Sequence, residues 1–260
     1  MPEMLEVESY RRLAATTVGR TITRVDAADA WFLKGGLTAD QVVDALKGHH
    51  FVGDRRIGKL LLLDVDQGPT LGLRFGMTGR LVVDGRTSID HLEYSSDRDD
   101  PVWDRFVLGF TDGGDLRMRD PRRLGGVELD PPTDRLGVDA LDLTPAGLRA
   151  ILGTSEAPLK ARLMDQARVA GLGNLLTDEI LWRAGLDPSR AAGSLSAVEV
   201  RRLHRHLLAT LHELGARGGS HMGDLQIMRS RDGVCPREGA ALLRRTIGGR
   251  TTYSCPVHQR

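Results

Sequence analysis

The feature that most constrains this chain is a change of pattern at Asp130-Pro131-Pro132. Before it, short apolar runs recur at close spacing. Gly58-Lys59-Leu60-Leu61-Leu62-Leu63-Asp64-Val65 ends at Gln67-Gly68-Pro69. Leu71 to Phe75, Arg80 to Val83 and Arg105 to Phe110 follow, the last closed by Asp112-Gly113-Gly114. Runs of this kind, bounded by turn residues, predict strands, and several in succession predict a sandwich or barrel. A helix over Pro2 to Ala14 precedes them. After the prolines the pattern is helical. Thr144 can cap a helix with Pro145 at its first position. Residues 158–170 and 174–184 read as helices around Gly171-Leu172-Gly173. From Ser196 to Leu214, residues Leu203, Leu207, Leu211 and Leu214 share one face. The tail predicts two short hairpins, with turns at Asp232-Gly233 and Gly248-Gly249. The expected organisation is an N-terminal domain 1–130, a linker 131–143, a helical domain 144–226 and a finger 227–260.

No apolar run approaches the roughly 18 residues of a membrane helix. The opening MPEMLEVESY holds three glutamates and no basic residue, which argues against a secretory signal. Two cysteines cannot build a disulfide framework. A cytoplasmic protein without a membrane partner is expected. The net charge of +1 hides an uneven distribution: residues 229–260 carry seven basic and two acidic side chains. A basic terminal module favours a polyanion partner. Lysine is scarce, at Lys34, Lys47, Lys59 and Lys160 against 32 arginines.

The first residues can carry chemistry. Removal of Met1 would leave Pro2 with a free secondary amine, and a reference α-amino group titrates at about 7.7–8.0. The positive end of a helix disfavours the protonated amine. Such an amine attacking a sugar C1′ gives an iminium (Schiff-base) intermediate, and Glu3 is placed to transfer protons. The bland alternative is ordinary helix-start chemistry. Lys59 reads from the residues alone as an edge lysine with its stem on apolar surface. Asn174 can cap a helix or donate to a phosphate. Lys160 is a phosphate contact or a solvated helix residue. His204, His206 and His212 do not fall at a spacing that predicts a metal site.

Four segments resemble the formamidopyrimidine-DNA glycosylase and endonuclease VIII family. They are Met1-Pro2-Glu3-Met4-Leu5-Glu6-Val7-Glu8, then Arg55-Arg56-Ile57-Gly58-Lys59, then Asp120-Pro121-Arg122-Arg123-Leu124-Gly125, and Gln166 through Leu181. They occur in the family's order, and the Gly171–Leu181 block is the most specific. The resemblance implies an α+β chain of two domains. The first is a β-sandwich with flanking helices, and the second a helix–two-turns–helix module with a β-hairpin finger. It implies a monomer, associated with the nucleoid, that holds double-stranded DNA with a damaged base or abasic site in a cleft between the domains.

The implied roles follow residue by residue. Pro2, Glu3 and Lys59 form the catalytic group, while Lys160, Asn174 and Arg250 hold phosphates. Met77 and Arg122 enter the gap left by an everted nucleotide, because C1′ chemistry is blocked in the stack. Leu124 stands where the family has phenylalanine; it can wedge between bases but stacks less well. No cofactor is implied for catalysis.

The family's finger holds Zn2+ between two C-x-x-C pairs. Here the pairs read Cys235-Pro236-Arg237-Glu238 and Cys255-Pro256-Val257-His258. Cys235, Cys255 and His258 are ligand types suited to zinc, with Glu238 a weaker fourth. The alternative is a zincless finger held by packing. The connection Gly218 to Gln226 is shorter than in the purine-directed branch. That implies a leaning to oxidised pyrimidines, with β- or β/δ-elimination. Restriction to abasic sites or a bulky adduct, or damage binding without catalysis, are the alternatives.

Overall fold

The computed structural model describes residues 2–89, 92, 98 and 100–260. The chain divides into two compact units, one ending at Thr133 and the other starting at Asp134.

In the first unit, α1 (Met4–Ala14) is followed by β1 (Ile22–Asp26), α2 (Ala39–Leu46), β2 (Phe51–Ile57), β3 (Leu60–Val65), β4 (Thr70–Arg74) and β5 (Arg80–Val83). Then come β6 (Asp104–Phe110), β7 (Asp115–Arg119) and β8 (Gly126–Leu129). They form two antiparallel sheets of four strands, ordered β1-β6-β7-β5 and β2-β3-β4-β8. Alternation explains the core: Leu61, Leu63, Leu71 and Leu73 from one sheet share a buried cluster with Leu81, Phe106, Leu108 and Met118 from the other. Val7, Tyr10 and Ala14 join it from α1, at the three- and four-residue spacing of one helix face. Leu60 and Leu62 are also buried, so β3 is covered on both faces.

In the second unit, β9 (Val138–Asp139) pairs in parallel with β10 (Val169–Ala170). The helices are α3 (Pro145–Leu152), α4 (Leu159–Met164), α5 (Asn174–Ala184) and α6 (Ala197–Arg217). The hairpin is β11 (Leu243–Ile247) with β12 (Arg250–Ser254). Thr144 and Ser196 cap α3 and α6, their hydroxyls accepting from Gly147 and Glu199 N–H at 3.0 and 3.3 Å. Every residue of α5 except Arg183 is buried. It packs against α4, α6 and β12 and is the central post of this unit.

Two details depart from expectation. The helix read over 158–170 is only α4, and Val169–Ala170 is a strand. The first tail hairpin reduces to a bridge between Val234 and Ala241, with its turn over Cys235 to Gly239 rather than at Asp232-Gly233. Of Gly171 and Gly173, only Gly171 needs glycine's freedom, at φ +112°; Gly173 is extended at φ −120°. The turn itself is tied by Gln166, which accepts from Gly171 N–H at 3.0 Å and donates to Leu172 O at 2.9 Å.

One buried carboxylate holds the second unit together. Asp178 of α5 lies 2.6 Å from Lys160 Nζ, pairs with Arg229 and accepts from Tyr253 N–H at 3.2 Å. Asp178 and Lys160 are 1% and 0% exposed. Removing one partner of such a group leaves uncompensated buried charge, at a cost of about 3–5 kcal/mol. Asp178→Ala should destabilise this unit by about that amount in denaturant unfolding followed by Trp182 fluorescence, and Asp178→Asn by less.

Candidate functional site

Pro2 is buried and lies two residues before α1. Glu3 is the N-cap, with a side chain fully shielded from solvent. Its backbone N–H donates to Glu6 Oε2 at 2.8 Å in a capping box, which fixes the entry of the chain into the helix. Side chains tie α1 to β2 in register. Arg11 pairs with Asp54, and one turn nearer the N-terminus Glu8 Oε2 lies 3.4 Å from Arg56 Nε. Burial works against the charge of Glu8, but Arg11 and Arg56 outweigh it and hold its carboxyl below the usual range. Helix and strand therefore run in opposite directions. The start of α1 and the tip of the β2–β3 hairpin lie at the same end of the unit. That tip is Gly58-Lys59, with Gly58 at φ +57° as a hairpin turn with glycine first requires. Lys59 is half-buried there.

The other candidates of this unit lie on two interlocked loops. Met77 is half-buried on the β4–β5 connection and lies outside the hydrophobic core. Thr78 Oγ1 beside it donates to Asp120 Oδ1 at 2.5 Å. Asp120 also accepts from Arg122 N–H at 3.1 Å and Gly125 N–H at 2.7 Å. Gly76 meets the second loop directly: a Cβ there would stand 2.4 Å from the Leu124 carbonyl carbon. One buried carboxylate thus shapes the loop that presents Arg122 and Leu124, both exposed, and joins it to the loop of Met77. Arg123 pairs with Asp29, whose Oδ2 also lies 3.9 Å from Arg105. Burial opposes the charge of Asp29, but Arg123 and then Arg105 hold its carboxyl below the usual range.

In the second unit, Asn174 opens α5 and is 9% exposed. Its Oδ1 is buried without a hydrogen-bond partner among the described residues. Arg250 is exposed at the β11–β12 tip, beside a turn in which Gly248 and Gly249 take φ +57° and +72°. Its guanidinium makes no ion pair or hydrogen bond among the described residues. Lys160 requires a correction. It is not a solvated residue: its ammonium is buried against Asp178 and donates to Thr252 Oγ1 at 2.8 Å. It is a strut beneath the hairpin that carries Arg250.

The two knuckles meet at the far end of α5. Cys235, Cys255 and His258 each bring a ligand atom within 4.8 Å of the others. Cys235 Sγ and His258 Nδ1 are 3.9 Å apart. Tetrahedral zinc with ordinary bond lengths would separate sulfur and nitrogen by about 3.6 Å, so the residues fit the metal. His258 Nε2 lies 3.1 Å from Trp182 O, and that bond leaves Nδ1 for a metal. Trp182 Nε1 donates to Cys235 Sγ at 3.3 Å. Burial raises the Cys235 thiol, but Trp182 and the amides of Arg237 and Glu238 outweigh it and pull the thiol below its ordinary value. Burial, with Cys235 adjacent, pushes Cys255 up. Glu238 is not part of this trio, though its Oε1 lies 3.7 Å from His258 Nδ1. His204, by contrast, is committed to Leu143 O at 2.6 Å.

The sequence reading assigned no role to Asp120, Asp178, Gln166, Arg229 or Trp182. An aspartate opening a turn is a recognisable acceptor for the amides that follow, and that signal marks Asp120. The others sit in ordinary helical or polar contexts, and only the packing shows their partners.

Two family models match the chain: the formamidopyrimidine-DNA glycosylase N-terminal domain over residues 1–127 and the H2TH domain of the same enzyme over residues 136–224. The formamidopyrimidine-DNA glycosylase of Paracoccus denitrificans is 35% identical, with both chains fully covered. That of Heliobacterium modesticaldum is 34% identical, again with full coverage of both. Among solved structures, a complex between the Lactococcus lactis Fpg and DNA containing an abasic site matches over 100% of both chains, with a TM-score of 0.83 and 25% identity. Together with the sandwich, the Gly171–Asn174 turn and the terminal hairpin, these matches establish that the chain belongs to the formamidopyrimidine-DNA glycosylase family.

Proposed function

We propose that Pro2 is the nucleophile of a bifunctional DNA glycosylase and AP lyase. Glycosylase and lyase activity in base excision repair comes with the family. The observation that carries the residue assignment is the fully buried Glu3 carboxylate capping the helix that starts just after Pro2. A carboxylate held out of water beside an amine is suited to proton transfer. The amine attacks C1′ of an everted nucleotide and displaces the base, which leaves with a proton from Glu3; the C1′–O4′ bond then breaks, the amine proton passes to O4′, and the opened sugar is held as an iminium. Loss of a C2′ proton then expels the 3′ phosphate. Lys59 is half-buried at the same end of the unit, which supports a role against a phosphate or the reacting sugar. Asn174 and Arg250 offer a carboxamide and a guanidinium for the backbone phosphates. Met77, Arg122 and Leu124 fill the gap left by the everted nucleotide.

The DNA partner is supported by the neighbours, which are complexes of the Lactococcus lactis protein with abasic-site DNA and with DNA containing N7-benzyl-Fapy-dG. For the lesion, the proposed leaning is to oxidised pyrimidines and abasic sites. It rests on the short passage from α6 to the finger. Glu179 accepts from Asp224 and Leu225 N–H at 3.1 and 2.9 Å, and a Cβ on Gly223 would meet its carboxylate at 2.6 Å. This passage is pulled tight against α5 and offers no long loop. A formamidopyrimidine preference is the second reading, favoured by the names of the relatives.

Zn2+ is the proposed finger ion, held by Cys235, Cys255 and His258 with Glu238 the candidate fourth ligand. Bound there it would supply a structural cross-link between the knuckles and no catalysis.

Borohydride treatment on a duplex with one abasic site should trap a covalent adduct that peptide mapping places on Pro2. An adduct elsewhere, or none, would sink the assignment. Glu3→Gln should bind the duplex but excise a damaged base roughly 10²- to 10⁴-fold more slowly. Arg250→Ala should reduce the slope of log affinity against log salt by about 1, whatever the DNA sequence. Elemental analysis should find zinc in the native chain and a clear loss in His258→Ala. No zinc in the native chain would leave the finger held by packing alone, and equal zinc in both would remove His258 from the ligand set.

A further inference from the structure

Trp31 is 70% exposed, and the indole N–H has no hydrogen-bond partner among the described residues. A single exposed apolar side chain is ordinary. This one is held in place from several directions. Its backbone N–H donates to Asp29 Oδ1 at 3.2 Å, and its carbonyl accepts from Lys34 Nζ at 2.7 Å. That ammonium stands 5.7 Å from the centroid of the indole ring.

The same segment is fastened to the loop that presents Leu124. Asp29 pairs with Arg123. A Cβ on Gly125 would stand 3.3 Å from the ring of Phe32, and one on Gly126 would meet the Lys34 stem at 2.4 Å. Phe32 and Lys34 exchange backbone hydrogen bonds with Val127, both at 2.9 Å. Trp31 and the Leu124 loop therefore move as one piece. Lys34, Arg105, Arg122 and Arg123 outnumber Asp29 and Asp120 around it, so the surroundings favour a polyanion.

We propose that Trp31 is a stacking platform for a nucleobase of bound DNA, beside the wedge formed by Leu124. The inference rests on the reading of the chain as a DNA enzyme. Leucine can pry a base step open but presents no π face, whereas a fixed indole stacks on any base without regard to sequence. The partly covering ammonium leaves the ring oriented rather than buried.

The test uses the full chain and a duplex carrying one tetrahydrofuran residue, a stable abasic-site analogue. Trp182 is buried and Trp103 half-buried, so acrylamide quenching of intrinsic fluorescence reports chiefly on Trp31. Duplex binding should protect the wild-type fluorescence from acrylamide. Trp31→Ala should bind roughly 5- to 100-fold more weakly, and Trp31→Phe should lose less because it keeps an aromatic face. Both variants should unfold at the wild-type denaturant concentration, because the side chain packs little. Unchanged affinity in Trp31→Ala, with no protection from acrylamide, overturns the proposal. So does an effect confined to self-association. Protection and weakened binding without any borohydride adduct from the wild-type chain would uphold the platform and remove the lyase reading instead.

Discussion

The carboxylate of Asp178 is the interaction on which the second unit depends. Two cations and a backbone amide converge on it from α4, the segment between α6 and β11, and β12. None of these groups would enter a dry interior alone, because the desolvation of each costs several kcal/mol. Together they cross-link three stretches that are remote in sequence. Arg229 also lies over the Tyr253 ring, 5.0 Å from its centroid, and Gly248 packs against Ala161. The hairpin that carries Arg250 is therefore seated on α4 and α5 by charge and by close contact. Its orientation does not rest on a metal alone.

The first unit shows the same economy with a single carboxylate. Asp120 gathers a hydroxyl and two amides and so dictates the shape of the loop that bears Arg122 and Leu124. Glycine is required where this loop meets its neighbour, since any side chain at Gly76 would collide with the backbone at Leu124. In both units an acidic side chain that touches no substrate sets the position of residues suited to touching one. Precision of this kind matters where flipping and C1′ attack need sub-ångström placement.

Much of this was legible in the sequence. The leucine runs and their turn residues mark the strands, and Thr144 and Ser196 mark helix starts, because caps and alternation are local signals. The family resemblance leads to Pro2, Glu3, Asn174 and Arg250 as candidates, and the structure places them at helix or hairpin ends. Lys160 shows the limit. A lone lysine in an arginine-rich chain reads as a surface group, and nothing local announces that Asp178, eighteen positions on, will bury it. The helix over 158–170 failed for a related reason. Its last two residues, Val169 and Ala170, are recruited as a strand by Val138–Asp139, a long-range pairing that overrides local propensity.

The composition of the knuckles has a further consequence. A finger built on four thiols can oxidise into three alternative disulfide pairings. With Cys235 and Cys255 the only cysteines in the chain, just one disulfide can form within a molecule. Imidazole and carboxylate do not climb the ladder of sulfur oxidation. The finger of this chain thus carries half the oxidisable sulfur of a four-thiol finger, and reduction of its one possible internal disulfide returns it to its starting state.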